Sequence, residues 1–287
     1  MMEPSTDLHI HTTYSDGEIA PEEVLSRLQY IGASACAITD HDTIEGCKVA
    51  LELQAKYGIE VIPGVELSAH EDGVEYHILG YEFDIDNCNL LEFMEVCRIN
   101  RLTRAKEIVK KLAERDVILD FDEIVELAGK SPITRPHIAH SMLNHEYVDS
   151  IKEAFTLYIG TGCSAYVPKV NFPVSQAIKL IRQAHGISSL AHPGKTISLP
   201  VIEKIIGYGL DAIEIIHPSH NPKMVNHYRK VAQKFDLIPT GGSDFHGNRG
   251  YDANFLGQFM IPYDSVKQIK KKCEKYEKVL ASVKEIA

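Results

Sequence analysis

Residues 7–17 read DLHIHTTYSDG, a short strand pattern that runs directly into a polar loop. His9 and His11 are two residues apart, so both imidazoles project from the same face of the strand. Asp16 follows in the loop. Imidazole and carboxylate groups are common ligands of divalent transition metals, so this stretch predicts part of a metal site whose other ligands lie further along the chain.

The chain beyond this stretch alternates between helix and strand patterns. Apolar residues recur at helical spacing within residues 20–33, with Pro21 near the start of the predicted helix and Gly32 near its end. Further strands are predicted at residues 35–40, 60–69, 73–83, 187–193, 210–217 and 237–246. Repeated strand–helix units favour an α/β fold with a largely parallel sheet, closed into a TIM-like barrel with its helices outside.

A helical segment interrupts this alternation between residues 89 and 167. Its patterns are helical, and no convincing strand separates them. We therefore predict a barrel domain formed by residues 1–88 and 168–287, and a helical insertion subdomain formed by residues 89–167. The expected role of the insertion is to cover the active site and to contribute contacts to the substrate.

The composition limits the functional classes. The 287 residues carry a formal net charge of −10, which argues against binding long duplex nucleic acid but permits a small anionic substrate. The six cysteines are scattered without a C-x-x-C pair, which disfavours disulfides and thiolate zinc sites. No signal-peptide pattern and no apolar run of the ~20 residues that a membrane span needs are present, so we expect a cytoplasmic protein with no membrane partner. The oligomeric state stays open.

Polar residues of the ligand types stand at or near the ends of the other predicted strands. They are His41, Glu66, His77, His192, Asp244 and His246. A single histidine is more often a hydrogen-bonded core residue than a ligand, but packing alone does not explain so many at converging strand ends. Together with the first three residues they form nine nitrogen and oxygen donors without a thiolate. This set predicts two or three divalent ions, manganese, zinc or iron, with Glu66 as a bridging ligand.

Six motifs in this order resemble those of the PHP (polymerase and histidinol phosphatase) superfamily: DLHIHTTYSDG, TDHD, GVE, EYHILGY, AHPG and GSDFHG. The resemblance spans about residues 6 to 246. It implies a distorted (β/α)7 TIM-like barrel with a trinuclear metal centre. The implied ligands are His9, His11, Glu66 and Asp244 at one ion, Glu66, His77 and His192 at a second, and Asp16, His41 and His246 at a third. Some relatives have histidine where this chain has Asp16.

Three further segments resemble one PHP branch, which dephosphorylates AMP or nucleoside 3′,5′-bisphosphates or trims short RNA: SPITRPHIA, AYVPK and IEIIHPSH. Arg135 is predicted to bind the substrate phosphate bidentately, and Lys169 and His220 are further candidate phosphate-binding residues. An equally good interpretation of Arg135 is an ordinary ion pair at a helix start, since Pro136 suits that position.

The expected reaction is hydrolysis of a phosphate ester by a hydroxide that bridges two ions, because no side-chain nucleophile motif is present. His217 is the candidate general acid, and a metal-bound water is an alternative. Three other functions share the same ligands: a histidinol-phosphatase-like phosphomonoesterase, an amidohydrolase-type enzyme, and a non-catalytic metal-binding PHP domain. The cations Arg135 and Lys169 favour a phosphate substrate over an uncharged one.

Overall fold

The computed structural model describes residues 5–195, 197–247 and 252–284, with side chains up to residue 278. The chain divides into two compact units. The first contains Met1–Leu91 and Phe172–Ala287, and the second contains Glu92–Asn171. The second unit overlaps the predicted helical insertion of residues 89–167.

Nine strands are described in the first unit. They are β1 (Ser5–Ile10), β2 (Ala35–Ile38), β3 (Glu60–Ile62), β4 (Gly64–Glu71), β5 (Val74–Tyr81), β6 (Ile187–Leu190), β7 (Ala212–Ile216), β8 (Ile238–Gly241) and β9 (Ile261–Pro262). They form two sheets, with the strand orders β3-β2-β1-β9 and β4-β5-β6-β7-β8. Together with the helices between them, these sheets make the predicted mixed α/β fold.

Ten α-helices are described along the chain. They are α1 (Pro21–Ile31), α2 (Glu45–Tyr57), α3 (Cys88–Ala113), α4 (Phe121–Ala128), α5 (Arg135–Asn144), α6 (Ile151–Ala154), α7 (Val174–Gln183), α8 (Leu199–Gly207), α9 (Pro222–Lys234) and α10 (Asp264–Lys284). A π-helical turn, Phe155–Ile159, follows α6. None of the helices in the described residues has the length and apolar character needed to cross a membrane.

The sheet arrangement corrects the predicted largely parallel, closed barrel. In the described residues the strands form two separate sheets, and β5 is antiparallel to both β4 and β6. The reason is a tight hairpin between β4 and β5, in which Asp72 and Gly73 have φ angles of 50° and 80°. Two successive residues with positive φ are typical of a two-residue hairpin, which can join only antiparallel strands.

The two sheets approach each other at two isolated bridges. Ile10 at the end of β1 pairs with Phe245 beyond β8, and His41 beyond β2 pairs with Glu66 in β4. Both bridges lie where the parallel strands end. The segment beyond β8 therefore meets the carboxyl end of β1, and the segment beyond β2 meets β4 at Glu66, which brings the predicted ligands together.

Helix α1 illustrates how the local sequence determines the elements. Pro21 occupies its first turn, and Gly32 ends it in the left-handed region, with φ 82° and an N–H that donates to the Leu28 and Gln29 carbonyls. Val24, Leu25 and Leu28 are buried, as their spacing predicts.

The second unit has its own apolar core. Residues from α3, α5 and the π-helical turn contribute to it, among them Leu112, Ile138, Met142 and Ile159. Asp120 caps α4 by accepting the Asp122 N–H. This unit is therefore a helical subdomain with a hydrophobic centre of its own.

Candidate metal centre

Glu66 is the central residue of the cluster and is fully buried in β4. Five imidazole nitrogens surround its two carboxylate oxygens. His77 Nδ1 and His192 Nε2 lie 3.0 and 3.2 Å from Oε1, and His41 Nδ1, His11 Nε2 and His9 Nε2 lie 3.1, 3.2 and 3.4 Å from Oε2. Each oxygen therefore faces a different group of donors, which is the geometry expected of a carboxylate that bridges two ions.

Asp244 lies beside His9 and His11. Its Oδ1 is 3.1 Å from His11 Nε2 and 3.3 Å from His9 Nε2, so these three ligand atoms form one compact group. Its Oδ2 is 3.2 Å from His217 Nε2. The two oxygens of Asp244 therefore face different imidazoles as well.

Asp16 belongs to a neighbouring group. Its Oδ1 lies 3.4 Å from His246 Nε2 and 3.7 Å from His11 Nδ1. Ligand atoms of Asp16, His11, His41 and His246 all lie within 4.8 Å of one another. The structure thus brings all nine predicted ligands into one continuous cluster, and Asp16 and His246 lie on a different side of it from His77 and His192.

The hydrogen bonding of the cluster fits a divalent ion. His9 Nε2, His11 Nε2, His41 Nδ1 and Glu66 Oε2 are buried and have no hydrogen-bond partner. Buried polar atoms without partners are costly, and metal ligation is the ordinary way to satisfy several of them at once. The donor set of imidazole and carboxylate without thiolate suits zinc, manganese or iron.

Charges in the cluster stabilise one another. Burial lowers the pKa of His11, but the adjacent Asp244 and Glu66 carboxylates outweigh this effect and raise the pKa to about 10. Burial likewise lowers the pKa of His77, and the Glu66 charge raises it to about 10. Burial alone dominates at His41, whose pKa falls to about 4. Burial raises the pKa of Glu66, but electrostatic interactions with the surrounding histidines hold it well below its usual value. The cluster is therefore built for ionised carboxylates that face positive charge.

Glu214 supports the cluster from behind, and the sequence reasoning missed it. It is fully buried in β7. Its Oε1 lies 3.1 Å from His9 Nδ1, and its Oε2 accepts the backbone N–H of His192 at 2.6 Å. A carboxylate on Nδ1 keeps the proton there and turns Nε2 toward the metal. The available signal was a charged residue inside the apolar strand AIEII, since a buried charge needs a partner.

Glu214→Gln should weaken metal binding about 10- to 100-fold, the typical effect of losing a carboxylate that orients a ligating histidine. An amide offers one acceptor oxygen, so it cannot serve both His9 and the His192 N–H. Competition with a chelating dye measures the metal affinity. Exposed Glu203→Gln on α8 is the matched control and should leave the affinity unchanged. Equal affinities for all three proteins would contradict the orienting role.

Two further carboxylates hold the ligand loops. Asp40 is buried and accepts the Thr12 N–H, the Thr12 hydroxyl and the Ser15 hydroxyl at 2.7, 2.7 and 2.6 Å. Asp7 accepts the Ser243 N–H at 2.9 Å. The first bonds order the loop that carries Asp16, and the second connects β1 to the segment that carries Asp244.

Two ligand residues have strained backbones. His192 and Asp244 have φ angles of 27° and 48°, in the left-handed region that few non-glycine residues adopt. Such conformations cost about 1–3 kcal/mol each and persist only where the surroundings enforce them. The His192 N–H donates to Glu214, and the Asp244 N–H donates to the His9 carbonyl at 2.8 Å. These bonds hold the two side chains in the cluster.

The two other predicted histidines of the first unit lie next to the cluster. His217 accepts the Ser219 N–H on Nδ1 at 3.0 Å, so the network assigns its proton to Nε2, which faces Asp244. His220 donates from Nδ1 to the Ile215 carbonyl and accepts the Gly194 N–H on Nε2, both at 3.1 Å. Both nitrogens of His220 therefore have partners within the fold, and its predicted donation to phosphate would require one of these bonds to break.

The remaining predicted substrate residues lie in the second unit. Arg135 begins α5 and donates from Nη1 to the Ile159 carbonyl at 3.2 Å. Its guanidinium carbon lies 5.3 Å from the Phe155 ring centre and 5.8 Å from that of Tyr166, so two aromatic rings hold it. Lys169 lies in the segment between the π-helical turn and α7 and is partly buried.

Comparisons with known proteins identify similar sequences and structures. The PHP domain model matches residues 7–165. A 5′-3′ exoribonuclease of Haemophilus influenzae is 32% identical over 91% of this chain and 96% of its own length. A 3′,5′-nucleoside bisphosphate phosphatase of Chromobacterium violaceum is 29% identical over 86% of this chain and 90% of its own length. A solved structure of a metal-dependent phosphoesterase from Bifidobacterium adolescentis has a TM-score of 0.81 at 27% identity and covers 93% of this chain and 96% of its own.

These similarities confirm two predictions, the family and the class of enzyme, a phosphoric ester hydrolase. They also agree with a metal-dependent reaction at the buried cluster. The chain belongs to the PHP-domain family.

Proposed function

We propose that this enzyme hydrolyses phosphate esters of small nucleotides or of short RNA, with two or three manganese, zinc or iron ions held by the nine clustered residues. One observation carries the proposal: four buried ligand atoms without hydrogen-bond partners converge around Glu66. Similar proteins named as an exoribonuclease and a nucleoside bisphosphate phosphatase support the substrate class.

The ligands divide into three groups in this proposal. The first is His9, His11, Glu66 and Asp244, the second is Glu66, His77 and His192, and the third is Asp16, His41 and His246. Short distances between the ligand atoms of each group support this division. Glu66 and His11 stand where neighbouring groups meet, so these two residues would connect the ion positions.

The protein's own groups prepare the reaction. Divalent ions, when bound, lower the pKa of water and neutralise charge that develops on phosphoryl oxygens. Asp244 and Glu66 hold the ligand nitrogens in place as ionised carboxylates. His217 carries a proton on Nε2 beside Asp244 while its Nδ1 accepts the Ser219 N–H, and we propose that this neutral imidazole donates a hydrogen bond to the leaving oxygen while water supplies the proton.

The direct test is hydrolysis by purified protein with Mn²⁺, measured as phosphate release and, for RNA, as release of mononucleotides. The substrates are AMP, adenosine 3′,5′-bisphosphate, a short 5′-phosphorylated RNA and histidinol phosphate. We expect hydrolysis of at least one of the three nucleotide substrates, faster than that of histidinol phosphate, and loss of activity after chelation. A metal-loaded protein that hydrolyses none of the nucleotide substrates would refute the proposal, and preference for histidinol phosphate would favour the alternative phosphatase.

Arg135 tests the proposed contribution of the second unit. If its guanidinium binds substrate phosphate, Arg135→Lys should raise KM about 10-fold or more with a smaller change in kcat, because lysine retains the charge but not the bidentate geometry. Steady-state kinetics on the best nucleotide measure both constants. Lys130→Gln, an exposed change in the same unit, is the control. Unchanged constants in Arg135→Lys would assign Arg135 to its contacts with Phe155 and Tyr166 alone.

A further inference from the structure

A groove of the first unit adjoins the metal centre. Its volume is about 400 Å³, and its lining includes His217, Pro222, Val225, Asn226, Arg229 and Phe259. This size is within the usual range of small-molecule sites. His217 belongs both to the groove and to the metal cluster, since its Nε2 lies 3.2 Å from Asp244 Oδ2. When a phosphate ester reacts at the cluster, the rest of the substrate molecule can therefore occupy this neighbouring groove.

One face of α9 forms a wall of the groove. Pro222, Val225, Asn226 and Arg229 are spaced i, i+3, i+4 and i+7, so they lie on the same side of the helix. Tyr228 and its neighbours Val231 and Ala232 are the buried residues of the same helix. The helix thus packs with one face and leaves a mixed apolar and polar face to the groove.

The chemistry of this wall suits a nucleotide. Pro222, Val225 and the Phe259 ring offer apolar surface for the flat face of a base, and aromatic rings are common stacking partners of bases. Arg229 is the cation of the groove. Within the described part of the chain it has no hydrogen-bond or ion-pair partner, so its guanidinium keeps its donors for a ligand.

The start of α9 does not provide a competing anion site. Asn221 caps the helix by accepting the N–H groups of Lys223 and Met224, and Pro222 has no N–H. The first backbone donors are therefore engaged or missing. An anion in the groove would have to be held by the side chain of Arg229 rather than by the helix terminus.

We propose that this groove binds the part of the substrate that does not react: a base against Phe259 and a second phosphate at Arg229. The chemical class is a nucleotide with two phosphate groups, such as a nucleoside 3′,5′-bisphosphate or a 5′-phosphorylated RNA end, whose next phosphodiester takes the place of the second phosphate. This inference rests on the proposed function, because it takes the reacting phosphate to lie at the metal cluster.

The test compares two substrates that differ only in the second phosphate. Arg229→Gln should lower kcat/KM for adenosine 3′,5′-bisphosphate about 10- to 100-fold, the usual range for losing a hydrogen-bonded charge partner. The same variant should change kcat/KM for AMP by less than about 2-fold. The ratio of the two values is the readout, since a general loss of folding or metal would affect both substrates equally. Lys230→Gln, the adjacent exposed cation of α9, is the control and should retain the wild-type ratio.

Binding without catalysis provides a second readout. Calorimetry with chelator-treated protein and adenosine 3′,5′-bisphosphate should show a dissociation constant about 10-fold or more higher for Arg229→Gln than for Lys230→Gln. Phe259→Leu should weaken the binding of both adenosine nucleotides by a similar factor, because both carry the same base.

The outcomes separate the two proposals. A wild-type enzyme active on the bisphosphate, with an unchanged substrate ratio in Arg229→Gln, would overturn the groove assignment and leave the proposed function intact. Equal losses for both substrates in Arg229→Gln would also overturn it. A wild-type protein that hydrolyses neither the nucleotides nor the RNA refutes the proposed function, and the calorimetric comparison then decides on the groove alone.

Discussion

Glu66→Gln is expected to lower kcat by at least about 1,000-fold, since metal ions supply several kcal/mol of transition-state stabilisation and each 1.36 kcal/mol is a factor of ten. Glu66 faces five imidazoles through two oxygens. The amide keeps the shape of the side chain but removes its charge, and its NH₂ group would point a donor at the ligand nitrogens, where Glu66 presents an acceptor oxygen. Metal content by mass spectrometry should fall together with activity.

Glu203→Gln is the matched control for this change. Glu203 is exposed on α8 and pairs with Lys234 at 3.2 Å, a type of surface ion pair that contributes little to stability. It should leave kcat and metal content at the wild-type values. A folded Glu66→Gln protein with full metal content and full activity would show that Glu66 does not ligate the ions.

Gly242→Ala is expected to have the second largest effect, on both stability and metal binding. A Cβ at this position would lie 2.4 Å from the backbone nitrogen and the Cβ of His9, closer than atoms can approach. The backbone of β1 or of the Gly242 segment must therefore move, which typically costs about 1–3 kcal/mol. Thermal unfolding with and without Mn²⁺ measures the loss, and the stabilisation by metal should shrink because the His9 ligand is displaced.

Gly207→Ala is the comparison for that substitution. Gly207 ends α8, and a Cβ added there would meet no atom within 4 Å. Alanine favours helix by about 1 kcal/mol over glycine, so this variant should be equally or more stable than wild type. If both glycine variants melted at the wild-type temperature, the close approach between Gly242 and β1 would not be the constraint described above.

Much of the site could be predicted because the ligands follow a simple rule. In parallel strand–helix folds the polar residues that act together stand at the carboxyl ends of strands, and His9, His11, Asp244 and His246 obey it. Helix α1 was equally clear, because Pro21 and Gly32 mark its ends.

The remaining features depend on tertiary contacts or on a turn signal that was given too little weight. The Asp72–Gly73 dipeptide forms the hairpin that makes β4 and β5 antiparallel, and the expectation of repeated parallel units concealed it. Glu214 lies within an apolar strand, so its partners His9 and the His192 N–H are visible only in three dimensions. No local pattern predicts where the two sheets meet, since this depends on isolated bridges between distant residues.

The pairing of Ile10 with Phe245 has a consequence for biosynthesis. Residues 235 positions apart in the sequence, by subtraction of these two numbers, must meet before the ligands of β1 and those after β8 share one site. While the ribosome is still making the middle of the chain, His9 and His11 have been translated but Asp244 and His246 have not. The complete cluster of candidate ligands can therefore assemble only after residue 246 has left the ribosome.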